Sequence, residues 1–346
     1  MPVLIYPSSP DHHLFARGGN ESARVAAERD THLDCVNIGL INNMPDSALI
    51  PTERQLFDLL SAAAGKLVIK LHLYTMDTTP RTDWGRDYVR RFYRDIDDLF
   101  DSSLDGIIVT GAEPRTDRLP EEPYWASFVQ VIGWAKENTF SSVCSCLAVH
   151  GAVLHLDGVE RHPLPDKCIG VFSQTKTMLH PLMLGVQERL RIPHSRWNEV
   201  REDDLAQSGY SILTKSDSAG VDCFVKQHQR SLFVCFQGHP EYEAQSLLGE
   251  YRRDIGRFLR RENERYPTMP QGYFGRVAEE ALIAFENEAR LSRRPELLTS
   301  FPVDRLARDL RNTWHSAARR IYRNWILYLS SQKARRSRPL AVGSFV

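Results

Sequence analysis

The chain has 346 residues, 42% of them hydrophobic, with 44 Lys and Arg set against 44 Asp and Glu. That length allows one large α/β domain with additions or two smaller domains, and a formal charge of zero removes any whole-chain electrostatic case for nucleic acid. No apolar run reaches bilayer length, and the first thirty residues, with Asp11, Glu21 and Glu28 among polar neighbours, lack a secretory core, so a cytoplasmic protein without membrane contact is expected.

Residues 1–34 read as a polar, loosely ordered segment. The run 36–41 then predicts a first core strand, 52–64 an amphipathic helix and 67–74 the next strand. Residues 77–87 read as a loop, 88–100 and 124–137 as helices, and 104–111 and 140–145 as buried strands. The apolar run 147–156 predicts a further helix. The stretch 168–200 reads as rich in turns, and strands return at 210–214, 221–225 and 232–236. This alternation predicts a mostly parallel sheet with helices on both faces. An α/β domain over 35–265 is therefore expected, followed by a helical region over 266–330 that packs on the domain or on a dimer partner. Within it, 273–289 and 305–330 carry apolar residues at helical spacing, among them Trp314, Ile321, Trp325 and Leu327. From Phe301 onward ten Lys or Arg stand against two Asp, and 331–346 reads as a basic, solvated tail.

The six cysteines are sparse and several lie in apolar runs, a pattern of reduced thiols. No Cys-x-x-Cys or His-x-x-x-His spacing and no glycine-rich phosphate loop occurs, so neither a metal nor a bound cofactor is expected. Chemistry concentrates instead at Cys146 and at His239 with Glu241. Cys146 ends a strand-like run and opens a helix-like one. A thiol on such an elbow is exposed, and the first helical amides point at it. Ser145 is small and turn-compatible, which favours Cys146 over Cys144 as the elbow residue. His239 and Glu241 follow the apolar run 232–236, at the end of a strand where open α/β sheets carry their sites. Two residues apart, they project to one side, where the carboxylate can hold the imidazole while its other nitrogen faces sulfur.

Cys146, the run Gly238-His239-Pro240-Glu241-Tyr242 and the early Asn42-Asn43-Met44-Pro45 followed by Thr52-Glu53 resemble the homoserine O-succinyltransferases, a family with a class I glutamine-amidotransferase-like, flavodoxin-like fold. Asp105 to Ala112, Tyr124-Trp125, Pro193 to Arg196, Glu250 to Asp254 and Asn324 to Tyr328 agree in order. A lysine usual in that family after Met-Pro is absent here, where Asp46 follows Pro45. The resemblance implies that Cys146 takes an acyl group from an acyl-CoA and passes it to the hydroxyl of homoserine, a step toward methionine. His239 would be the base and Glu241 its orienter, with Lys167, Ser195 and Arg253 where the family contacts substrate. Arg115 falls at the position that helps choose the acyl donor. A guanidinium there could pair with the free carboxylate of a succinyl group, so succinyl-CoA is the expected donor. Acetyl-CoA is the alternative, with Glu113 taking that place. A glutamine amidotransferase-type hydrolase, or a binding protein that keeps the fold without turnover, would use the same residues differently. By analogy the protein is expected to be a homodimer with small-molecule substrates.

Overall fold

Short apolar strands separated by amphipathic helices can bury their backbone polar groups by pairing side by side beneath those helices, and this chain does so. The computed structural model describes residues 3–6, 9, 11–14 and 35–337. In chain order the elements are β1 (Val3–Tyr6), β2 (Cys35–Ile41), α1 (Asp46–Ala64), β3 (Val68–Tyr74), α2 (Asp83–Phe92), α3 (Asp97–Phe100), β4 (Gly106–Val109), α4 (Trp125–Asn138), β5 (Ser141–Ser145), α5 (Leu147–Asp157), β6 (His162–Lys176) and β7 (Arg189–Glu199). There follow α6 (Glu202–Gln207), β8 (Ser211–Ile212), β9 (Thr214–Ser216), β10 (Gly220–Val221), β11 (Cys223–His228), β12 (Ser231–Phe236), α7 (Ser246–Leu259), α8 (Arg276–Leu291), α9 (Val303–Ala307) and α10 (His315–Ser337).

The main sheet runs β1-β3-β2-β4-β5-β12-β11-β8. Every pair from β1 to β12 is parallel, and β11 and β8 close the far edge antiparallel. Alternation along each strand feeds two cores. Val36, Ile38 and Leu40 of β2, Val143 of β5 and Val234 and Phe236 of β12 pack with α1 and α10. Cys144 of β5 and Phe233 and Cys235 of β12 face the opposite layer with α4 and α5. A mixed α/β fold with a mostly parallel sheet and helices on both faces results. No helix among the described residues is long and apolar enough to cross a membrane.

Four local expectations need correction. Part of the polar N-terminal segment is structured: β1 adds a parallel edge strand to β3, and His12 and Leu14 are buried; residues 15–34 lie outside the described residues. The first helix starts at Asp46, six residues early, and carries Pro51 inside it, where a proline reads in sequence as a helix start. The 88–100 helix is two pieces, α2 and α3, since Tyr93 to Ile96 leaves the helix and Arg94 bridges to Tyr74. The largest difference is 168–200, where β6 and β7 form a long antiparallel hairpin in a second sheet of order β10-β9-β6-β7. Pro163, Pro165, Pro181 and Pro193 obscure that hairpin in the sequence. Its register slips between Pro163 and Cys168, so Pro165 sits in an irregularity rather than ending the strand, while Pro193 stays in register opposite Val171.

The C-terminal helix α10 covers the sheet rather than standing apart. Trp325 is 1% exposed and its indole N–H donates to Ser141 Oγ at 2.9 Å, while Leu329 lies against Gly106. The expected basic tail begins as helix, since α10 continues to Ser337 and Lys333 pairs with Asp105 at 2.9 Å; residues 338–346 lie outside the described residues.

Candidate active site

Strands β5 and β12 are neighbours in the parallel sheet, with Ser145 level with Phe236, so the residues just beyond each emerge at the same edge. Cys146 follows β5 directly at φ 52° and ψ −114°, the cap of α5, and its amide donates to Phe236 O at 2.8 Å. A non-glycine residue held there stores roughly 1–3 kcal/mol of backbone strain, which the surrounding sheet and helix enforce. The turn throws the side chain outward, and Cys146 is partly exposed whereas Cys144 is fully buried. Burial pushes the Cys144 thiol up to about 12. Gly111 passes so close that a β-carbon there would stand 3.2 Å from Leu147 N, which leaves the mouth of the elbow lined by backbone.

Beyond β12 the chain is fixed tightly. Gln237 donates to Val221 O at 2.7 Å and Val200 O at 3.2 Å and accepts from Val200 N–H at 2.8 Å, tying the two sheets together. Gly238 N–H donates to buried Asp222 at 3.1 Å, and His239 N–H donates to Pro193 O of β7 at 2.8 Å. A side chain at 238 would meet Ile192, Asp222 and Pro193 O, so glycine is required by close approach. Burial raises Asp222 to about 6, against the opposing Gly238 amide, Thr214 and Arg196.

His239 Nδ1 lies 2.8 Å from Glu241 Oε1, and its ring stacks on Tyr242 with centroids 4.1 Å apart. Cys146 and the same imidazole line one cavity, close enough for the charge of the sulfur to act on the ring. Burial works to lower the affinity of His239 for its proton, but the charges of the Cys146 sulfur and Glu241 more than reverse it and hold the ring well above the ordinary histidine range. Glu241 Oε1 also accepts from Ser145 Oγ at 3.3 Å, while Oε2 has no hydrogen-bond partner among the described residues.

A second group of side chains meets at Glu250 on α7. Ser195 Oγ and Tyr242 OH each donate to it at 2.5 Å, and Lys167 Nζ lies 3.5 Å away. Lys167 also bonds Asp254 at 2.7 Å, and Arg253 reaches Asp254 at 3.0 Å and Glu250 at 3.6 Å. Burial acts to raise Glu250, but Lys167 and Arg253 hold it below the ordinary carboxylate range. The hairpin delivers Lys167, at its register slip, and Ser195, while α7 delivers Arg253. Cys146, His239, Glu241, Lys167, Ser195 and Arg253 thus line one cavity of about 370 Å³. Arg115 stands outside it, exposed in an adjoining cleft of about 340 Å³ with Thr79 and Pro80. Glu113 lines the cysteine cavity, as does Arg257, which pairs with it.

Sequence reading assigned no role to Gln237, Asp222 or Arg257, and carried Tyr242 and Glu250 only inside matching runs, without a function of their own. Tyr242 and Gln237 flank the Gly-His-Pro-Glu motif and signalled themselves by adjacency; Asp222 and Arg257 gave no local sign. The missing lysine after Met44-Pro45 has a physical counterpart. Asp46 caps Thr82 and pairs with Arg81 at 3.1 Å, and Arg81 in turn binds the carbonyls of Asn42 and Met44.

A thiol on a strand-to-helix elbow, facing a His–Glu couple at the carboxyl edge of a mostly parallel sheet, is the arrangement of a cysteine-dependent acyl-transfer enzyme. The family model described as homoserine O-succinyltransferase matches residues 2–336. Similar proteins include a homoserine O-succinyltransferase of Rhodopseudomonas palustris, 43% identical over 94% of this chain and 95% of that protein. Another, from Bradyrhizobium japonicum, is 45% identical over 92% of this chain and 95% of the relative. Among solved structures, a glutamine amidotransferase from Methylobacillus flagellatus aligns at a TM-score of 0.48 and 14% identity, covering 85% of this chain and 95% of its own. The chain belongs to the homoserine O-succinyltransferase family.

Proposed function

We propose that this protein transfers a succinyl group from succinyl-CoA to the side-chain hydroxyl of homoserine, in two steps through an acyl-cysteine. The observation that carries the reading is Cys146 sharing one cavity with His239, whose Nδ1 is held by Glu241 at 2.8 Å, in a chain of this family. His239 takes the Cys146 proton and the sulfur attacks the thioester carbonyl, whose oxyanion lies near the unpaired amides of the first turn of α5. The carbon–sulfur bond to CoA breaks, and the departing thiolate recovers the proton from His239. In the second step His239 takes the hydroxyl proton of homoserine as that oxygen attacks the acyl-cysteine, the bond from the acyl carbon to the Cys146 sulfur breaks, and the departing sulfur recovers the proton from His239 as the free thiol.

Glu241 orients the ring throughout. Lys167, Ser195 and Arg253 bind the acceptor, whose carboxylate and ammonium suit a group of mixed charge built around Glu250. Arg115, in the adjoining cleft, contacts the donor on its way in. No resident cofactor takes part in this scheme, and we place the enzyme in the cytoplasm as a homodimer. The test is formation of O-succinylhomoserine from homoserine and succinyl-CoA, with one CoA released per product. No product with the wild-type protein, or undiminished product with Cys146→Ala, overturns the reading.

A further inference from the structure

Two charged side chains in the lining of the cysteine cavity are paired across it from different elements. Arg257, on α7, forms an ion pair with Glu113, on the loop that follows β4, and both line the cavity that holds Cys146. The pair is partly exposed, 32% for the arginine and 47% for the glutamate, so solvent competes for it and separating it is easy. Arg257 makes no other ion pair among the described residues, whereas Arg253 is held by Glu250 and Asp254 within the wall. The charge of Glu113 acts on Arg253 as well, and all three side chains line the same cavity. A partly exposed carboxylate paired with one arginine nitrogen, in the cavity of the candidate nucleophile, marks where a carboxylate carried by the acyl group would sit.

We propose that Arg257 reads the distal carboxylate of the succinyl group, and that Glu113 occupies this place until the donor displaces it. The inference rests on the acyl-transfer reading above and adds the residue that selects the acyl group. It assigns selection to the cavity wall rather than to Arg115, which lies in the next cleft.

The test compares succinyl-CoA with butyryl-CoA, a donor of the same four-carbon length ending in methyl. Each is read as kcat/KM or, for a donor that does not turn over, as competitive inhibition. Arg257→Ala is expected to lose about tenfold or more with succinyl-CoA, the scale of a lost charge-assisted pair, and to leave the butyryl value unchanged. Arg257→Lys should recover part of the loss, Arg115→Gly should leave the ratio of the two donors as it was, and Glu113→Gln should keep or lower KM for succinyl-CoA. Equal losses on both donors in Arg257→Ala, no loss on either, or a ratio shift produced by Arg115→Gly overturns the assignment. A rise in KM for succinyl-CoA with Glu113→Gln matching that of Arg257→Ala overturns it too. Wild-type protein that releases no CoA from succinyl-CoA would instead defeat the acyl-transfer reading itself, an outcome separate from these ratios.

Discussion

Two carboxylates of this molecule, one buried and one half-buried, each hold histidine, and they differ in what they leave unfilled. Glu53, on α1, is fully buried and saturated: Tyr93 OH donates to one oxygen at 2.5 Å, while Tyr88 OH at 2.9 Å and the rings of His13 at 2.7 Å and His12 at 3.3 Å crowd the other. Glu241 spends one oxygen on His239 and Ser145 and leaves the other without a partner, and its histidine faces a thiol and a cavity. The saturated cluster clasps residues 11–14 to the domain; the unsaturated one keeps capacity for chemistry. His12, His13 and Glu53 do bring ligand atoms within 4.8 Å of one another. However, His12 Nδ1 accepts the Leu14 amide at 3.2 Å, which puts the ring proton on Nε2, toward Glu53, where a metal would need a lone pair.

Substitutions sharpen that contrast. The largest effect is expected for Cys146→Ala, which should abolish succinyl transfer, a loss of about ten-thousand-fold or more in kcat, while its melting temperature holds. Glu241→Gln, which keeps shape but not charge, should cost about a hundred- to ten-thousand-fold in kcat with little change in KM. Lys167→Met should raise KM for homoserine roughly tenfold or more by leaving Glu250 and Asp254 less compensated, measured by varying acceptor at saturating donor.

At the other cluster the signature reverses. Glu53→Gln should lower unfolding free energy by about 1–3 kcal/mol in denaturant titrations with kcat nearly unchanged. Its pH dependence has a definite sign. Burial tends to raise Glu53, but hydrogen bonds from His12, His13 and Tyr93 hold it below its ordinary 4.5, so its contribution is present above pH 4.5 and is lost as pH falls through the lower folded value. The wild type should therefore lose more stability than Glu53→Gln on acidification in that range, and parallel curves would contradict the clasp.

Much of this architecture was legible because one physical signal dominated locally. The strands at 36–41 and 232–236 are largely apolar, that at 140–145 is a short run of small and apolar residues, and their place in one parallel sheet puts Cys146 and His239 at one edge. The elbow was legible too, from a small residue before the thiol and a helix-forming run after it. The β6–β7 hairpin was not, since its prolines mimic a loop and its strands pair across a turn-rich connection, from Thr175 opposite Arg189 out to His162 opposite Glu199. Glycine at 170 carries no legible meaning either until the backbone of Gln271 is seen to pass where a side chain would stand. Arg257 escaped notice because a lone arginine on an amphipathic helix looks solvent-facing until a distant loop supplies its partner.

The most direct test mixes the protein with succinyl-CoA without acceptor, quenches it in acid and locates any added mass by peptide mapping. One succinyl group on Cys146, discharged when homoserine is added and absent from His239→Ala, is the predicted result. Succinyl mass on another residue, or product formed with Cys146 never modified, would contradict the account.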